Sequence, residues 1–329
     1  MTHSKETAVE FPPDERGEEM DMCSRDIEMH HRDGGTLRMH ERRQNSGTSH
    51  IGQNDLLDLL RIYDVDNSDM EEIEEEAKQL PLGDRKRTER INDDKKFQDW
   101  ILSPASTKLW IHGNFSSPML ENPALSHFCT TLTKDLRPQR PQEPEEGPLC
   151  IVWFCGRHLG RDDDKSDSES SNPLGYDPNL GQDKQDAYSP GTKHGIIKRM
   201  MRSLISQLLC HYEFGLRFLL PPGVDLGVIE KGHSLSQLRR LFRWLVRQLP
   251  KEVTLFCLLD GIAFYEREEF EAPMLHALDD ILELIVSDDV SAVVKVLVTS
   301  PRSTSTFRKG FDGKEILSMD SLTLSHVDV

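Results

Sequence analysis

Two stretches of the chain hold residues whose types and spacing could do chemistry. The first is His112-Gly113-Asn114-Phe115-Ser116-Ser117-Pro118-Met119, which begins at the last residue of the apolar run KLWIH. The second is Asp260-Gly261-Ile262-Ala263-Phe264-Tyr265-Glu266, directly after VTLFCLL. A glycine and small polar residues behind a strand can turn backbone N–H groups toward an anion. A carboxylate directly behind a buried strand faces the ligand crevice of an α/β sheet, where it can hold Mg2+ while a second acid polarises an attacking water. Asp260 would be the metal-holding group and Glu266 the second acid. The plainer alternative is that Asp260 caps a turn with Gly261, as Asp-Gly pairs often do.

Buried strands and amphipathic helices must position these groups. KLWIH (108–112), LCIVWFC (149–155), VTLFCLL (253–259) and VVKVLVT (293–299) are short runs apolar on both faces, as expected of strands covered on both sides, and a weaker strand is expected over 315–318. Between them, residues 122–136 place Leu125, Phe128, Cys129 and Leu132 at helical spacing. Residues 196–210 do the same with Ile197, Met201, Leu204, Ile205 and Leu208. In residues 235–249 the apolar face is Leu238, Leu241, Phe242, Leu245 and Val246, with Ser234 and Gln237 as a capping-box signature and Pro250 as the stop. Residues 273–286 complete the set. Strands alternating with amphipathic helices predict a three-layer α/β domain with a mostly parallel sheet, and a ligand site at the carboxyl ends of its strands. Residues 1–50 and the insertion 157–193 lack periodic apolar positions and are expected to be disordered. Residues 51–96 are expected to be a charged, partly helical lead-in to a domain over 97–324, with 325–329 a tail.

The chain has 329 residues, of which 36% are hydrophobic and 29% charged, with a formal net charge of −17. Such a surface repels nucleic acid and anionic lipid, so neither is expected as a partner. No apolar run approaches the ~20 residues of a membrane span, and the N-terminus has no apolar signal core, so a cytoplasmic location is expected. The six cysteines are scattered, several in apolar runs, which suits buried thiols. Cys150-x4-Cys155-x2-His158 lacks a second ligand pair for zinc. Arg239, Arg240, Arg243 and Arg247 make a basic helix face, read as solvated, with a partner contact as the alternative. Trp153 and Trp244 suit packing better than base stacking.

In chain order, FQDWILSPASTKLWIHG, LCIVWFCGRH, RSLISQLL, LFCLLDGIAFYE and VVKVLVTSPRS resemble the pieces of a NACHT-type NTPase domain of the STAND class, in the nephrocystin-like form abundant in filamentous fungi. The resemblance spans residues 97–324. It implies a P-loop NTPase-like fold, NTP hydrolysis as the ancestral activity, and Mg-ATP or Mg-GTP as the ligand. It assigns Gly113, Asn114, Ser116 and Ser117 to the phosphate loop, Asp260 to Mg2+, and Thr299, Ser300 and Arg302 to the sensor strand. The departures are specific. A working loop reads G-x-x-x-x-G-K-[ST]. Aligned without gaps, Pro118 replaces its second glycine, Met119 its lysine and Leu120 its hydroxyl residue, and no Lys or Arg lies between Lys108 and Lys134. Glu266 is six positions beyond Asp260, farther than the second acid of the family, and Thr299-Ser300-Pro301-Arg302 stands where many relatives read Ser-Arg-Pro. The expectation is a non-catalytic interaction or regulatory module with protein partners. The alternative is a nucleotide-binding switch that retains binding through Asp260.

Overall fold

The computed structural model describes residues 50–62, 64–113, 123–137, 147–159, 195–214, 218–221, 223–231, 234–302 and 304–322. Of the disorder expected over 1–50 and 157–193, residues 1–49 and 160–193 lie outside the described residues, while His50 opens a strand. Arg157 and His158, at the expected start of the insertion, belong to a 3-10 turn, Cys155–His158, that closes the preceding strand.

The element order opens with β1 (His50–Ile51) and four lead-in helices, α1 (Gln53–Leu60), α2 (Val65–Ala77), α3 (Leu82–Glu89) and α4 (Lys95–Leu102). Then follow β2 (Thr107–His112), α5 (Pro123–Leu136), β3 (Pro148–Phe154), α6 (Gly195–His211), β4 (Phe218–Leu219), α7 (Leu226–Glu230), α8 (Leu235–Gln248), β5 (Thr254–Asp260), α9 (Glu271–Val286), β6 (Val293–Ser300) and β7 (Ile316–Ser318). β1 and β4 make a small antiparallel pair. The other five strands form one sheet in the order β3-β5-β6-β2-β7, every pair parallel. The four strongest apolar runs are thus strands of one parallel sheet, as their both-face apolar character predicts.

Alternation along each strand divides the core in two. Leu109, Ile111, Val152, Phe256, Leu258 and Leu297 face a layer built from α2, α4 and α5. Trp110, Ile151, Trp153, Leu255, Leu259 and Val296 face α1, α6, α8 and α9. Each fully buried aliphatic side chain contributes ~1.5–3 kcal/mol over leaving it exposed, so these two layers dominate the stability. The side of each helix follows from the right-handed crossover rule. The step from β2 to β3 runs across the sheet with α5 on one face, and the return steps through β5 to β6 run the other way with their helices on the opposite face. The chain therefore leaves β2 and β6, which are neighbours, toward opposite faces. That is a topological switch point, and its crevice lies outside the carboxyl ends of these two strands.

Charge hides the packing of the lead-in. α2 is acidic, yet Met70 and Ile73 are buried, as is Ile91 beyond α3. Its acids pair with the domain behind it: Asp66 with Arg137 at 2.6 Å, Asp69 with His158 at 2.8 Å, Glu74 with Lys134 at 2.7 Å, and Glu76 with Arg157. Three arginines of the basic face of α8 likewise pair within the chain, while Arg240 is exposed and donates to the Gly223 carbonyl at 3.3 Å. Arg239 and Arg243 meet Asp280, Arg243 also meets Glu283, and Arg247 meets Asp289 at 2.8 Å. Half of the expected capping box forms at α8: Ser234 accepts from the Gln237 N–H, while the Gln237 side chain accepts from Asp225 instead. At the sheet edge, the Gln207 amide of α6 both donates to the carbonyl of Val152 and accepts its N–H, each at 2.8 Å, and Arg137 donates to the Cys150 carbonyl at 3.1 Å.

Candidate functional site

Asp260 ends β5 and is buried, with 3% of its surface exposed. One carboxylate oxygen accepts from the Ser126 hydroxyl at 2.6 Å. The other accepts from the Thr299 hydroxyl and lies 3.8 Å from the Cys129 thiol. Burial pushes the Asp260 carboxyl above its ordinary value, opposed by the hydrogen bonds from Ser126 and Thr299 and by the Arg157 charge. The same carboxylate, with burial as the larger cause, holds the Cys129 thiol well above its usual range.

The turn behind Asp260 is not capped by its carboxylate. The Gly261 N–H donates to Thr299 Oγ1 at 3.0 Å, so one hydroxyl joins the ends of neighbouring strands by accepting from Gly261 and donating to Asp260. Gly261 has φ +71°, and a Cβ there would stand 2.9 Å from the Phe264 ring, so glycine is required on both counts.

The other sequence-selected residues scatter. Gly113 continues the ladder beyond β2 by donating to the Ser300 carbonyl at 2.8 Å, and its own carbonyl accepts from Arg87 of α3 at 3.1 Å. Asn114, Ser116 and Ser117 lie outside the described residues, as do Pro118, Met119 and Leu120. Glu266 does not join Asp260. Its carboxylate accepts the N–H groups of Ser305 and Thr306 at 2.9 and 2.8 Å, which straps the segment after β6. Ser300 is buried, its hydroxyl donating to the Arg302 carbonyl, and the Arg302 side chain is exposed. His112 closes β2 at 8% exposure, and its Nδ1 has no hydrogen-bond partner. Burial, then the Arg308 charge, holds its pKa below the usual histidine value, with Asp320 opposing.

Sequence reasoning missed Ser126. It sits in the first turn of α5, the helix that follows β2 in the element order. A hydroxyl and a carboxylate joined in this way have the residue types that hold Mg2+ in phosphoryl-transfer sites. They suit that ion only alongside further oxygen ligands, because Mg2+ usually takes one or two carboxylates together with waters and phosphates. Among the described residues, no group of three or more His, Cys, Asp or Glu side chains could hold a metal by itself.

The fold is therefore a three-layer α/β domain around a parallel sheet, consistent with P-loop-like architecture. No protein-family model, curated protein or solved structure matches the chain. No helix among the described residues is long and apolar enough to cross a membrane.

Proposed function

We propose that the chain is a non-catalytic interaction or regulatory module of the NACHT/STAND type, built on an NTPase framework that has lost its grip on phosphate. The observation that carries this reading is the contrast between adjacent residues in α5. The Ser126 hydroxyl is bonded to Asp260, while the Leu125 side chain is 1% exposed and belongs to the core. In a phosphate loop the hydroxyl residue directly follows the lysine, which follows a glycine. If Ser126 is that hydroxyl residue, Leu125 occupies the lysine position and Ala124 the glycine position. The ungapped register, with Pro118, Met119 and Leu120, lacks the lysine too. Both alignments keep a group suited to the metal and remove the cation that neutralises the transferring phosphoryl group. Hydrolysis in such sites rests on positioning and charge neutralisation, so the loss removes turnover. The net charge of −17 favours protein partners over nucleic acid.

Steady-state ATP and GTP hydrolysis, measured with Mg2+ alongside binding of fluorescent nucleotide analogues, tests the reading. Turnover at background is expected for the wild type and for Asp260→Asn alike. Mg2+-dependent turnover abolished by Asp260→Asn overturns the proposal. Mg2+-dependent binding without turnover makes the chain a nucleotide-binding switch instead.

A further inference from the structure

At the opposite end of the sheet from Asp260, a cavity of about 540 Å3 opens beneath the amino end of β2. One wall comes from α9, through Leu282, Ile285 and Val286; the other comes from α4 and the start of β2, through Trp100, Thr107 and Leu109. Val286 is 78% exposed, and Leu102, at the end of α4, is 79% exposed. Only Leu82 joins them as an exposed large apolar residue among those described. Val286 therefore presents an exposed apolar side chain on the cavity wall, while Leu102 lies outside the lining.

Four of the nine polar residues that line the cavity, three lysines and Trp100, can only donate. Trp100 is 3% exposed, and its indole N–H has no acceptor; the Thr107 hydroxyl is buried without a partner as well. An indole N–H can only donate, so what would satisfy it is an acceptor. Lys96, Lys108 and Lys314 stand around the opening, facing only Asp99 and Glu315 as acids. Asp99 pairs with Lys95 at 2.7 Å, and Glu315 accepts the Asp312 N–H at 2.8 Å and lies 3.7 Å from Lys108. Lys108 also donates to the Gly310 carbonyl at 2.6 Å, and Lys96 to the carbonyls of Gly313 and Ile316 at 3.1 and 2.6 Å, which leaves each ammonium one or more further N–H donors. Lys314 has no ion pair among the described residues. Behind the wall, the buried Lys295 ammonium donates to the Trp100 carbonyl at 2.6 Å and adds positive potential. In a protein of strong net negative charge, this is a local concentration of cations around an apolar slot. Its volume lies within the range of about 300–1,000 Å3 typical of small-molecule sites.

We infer that this cavity binds a small amphipathic anion, with an apolar body against Leu282, Ile285 and Val286 and a carboxylate-like head toward the lysines. The inference does not depend on the fate of the phosphate loop, because the two sites lie at opposite ends of the strands.

Octanoate, octanol and octylammonium share one chain and differ in head group, so they separate anion recognition from apolar partitioning. Each is titrated into the full chain while the Trp100 indole N–H resonance is followed, assigned by its loss in Trp100→Phe. A saturable shift is expected with octanoate, affinity weaker by about tenfold or more for octanol, and no saturable shift with octylammonium. Lys314→Glu and Val286→Glu change exposed side chains, so both should melt like the wild type, and each should weaken octanoate by about fivefold or more. No saturable shift with octanoate, an equal response to octanol or octylammonium, or unchanged affinity in both variants would overturn the inference.

Discussion

The Thr299 hydroxyl donates to the Asp260 carboxylate while accepting the Gly261 N–H at 3.0 Å, so a β6 side chain completes the buried polar groups at the end of β5. Thr299→Val keeps the shape and removes both bonds. It leaves a buried N–H without an acceptor, which should cost about 2 kcal/mol. Thr299→Ser should recover most of the loss. Urea denaturation of the three proteins checks this; an equally stable valine variant would show that the hydroxyl is incidental.

The stability difference between Asp260→Asn and the wild type should depend on pH. Burial raises the folded-state pKa of Asp260 above 3.8, so the folded state binds the more protons as pH climbs from there toward the raised value. Wild-type stability therefore falls across that window relative to a side chain that cannot ionise. The difference between variant and wild type should move in favour of asparagine as pH rises from acid to neutral. Unfolding midpoints measured over this range would contradict the reading if the difference moved the other way.

Glu266 straps the segment behind β6. Glu266→Ala should strip hydrogen-exchange protection from the amides of Ser305 and Thr306, whose N–H groups it accepts. The global loss should be about 1 kcal/mol. Glu266→Gln keeps a carbonyl acceptor and should retain most of the protection. Unchanged exchange in the alanine variant would remove the strap from consideration.

Lys295 gives a pH dependence of the opposite sign to the buried thiols. Burial lowers its pKa from 10.5 to about 8, so between these values the unfolded chain binds the more protons and stability rises with pH. Burial raises Cys150 to about 12, and Cys129, Cys155, Cys257 and Tyr265 are raised as well, so these groups lower stability once the unfolded thiols ionise above about 9. Lys295→Met removes only the first contribution. Its stability should decline more steeply than the wild type's from pH 8 to 10.5. Parallel profiles would mean that the ammonium is already solvated in the fold.

The strands were legible because burial on both faces leaves one unmistakable mark, an unbroken apolar run. Asp260 stood out for the same reason, as the first charge after such a run. Ser126 did not, because it is one of several hydroxyls in an amphipathic helix, and no periodicity fixes how many residues separate it from the end of β2. The Thr299–Asp260 bond depends on β5 and β6 being neighbours, and the order of strands in a sheet is not a local property of the chain. In the lead-in, a few apolar residues such as Met70 and Ile73 do the packing beneath a coat of glutamates, so composition points outward while two side chains point in. The arginines of α8 misled in a related way, since their acids lie some forty residues away on and beyond α9.

Among the described residues β3 is an outer strand of the sheet, where another chain could add a strand, because an outer strand offers unpaired amides and carbonyls as a template. Gln207 occupies that template. Its side-chain amide imitates a peptide group, meeting both the N–H and the carbonyl of Val152, while Arg137 covers the carbonyl of Cys150. The sheet thus ends in two side chains posing as a neighbour. Replacing Gln207 with leucine would keep helix propensity and apolar packing yet unmask the edge, and the penalty would surface as self-association rather than as a lower melting temperature alone.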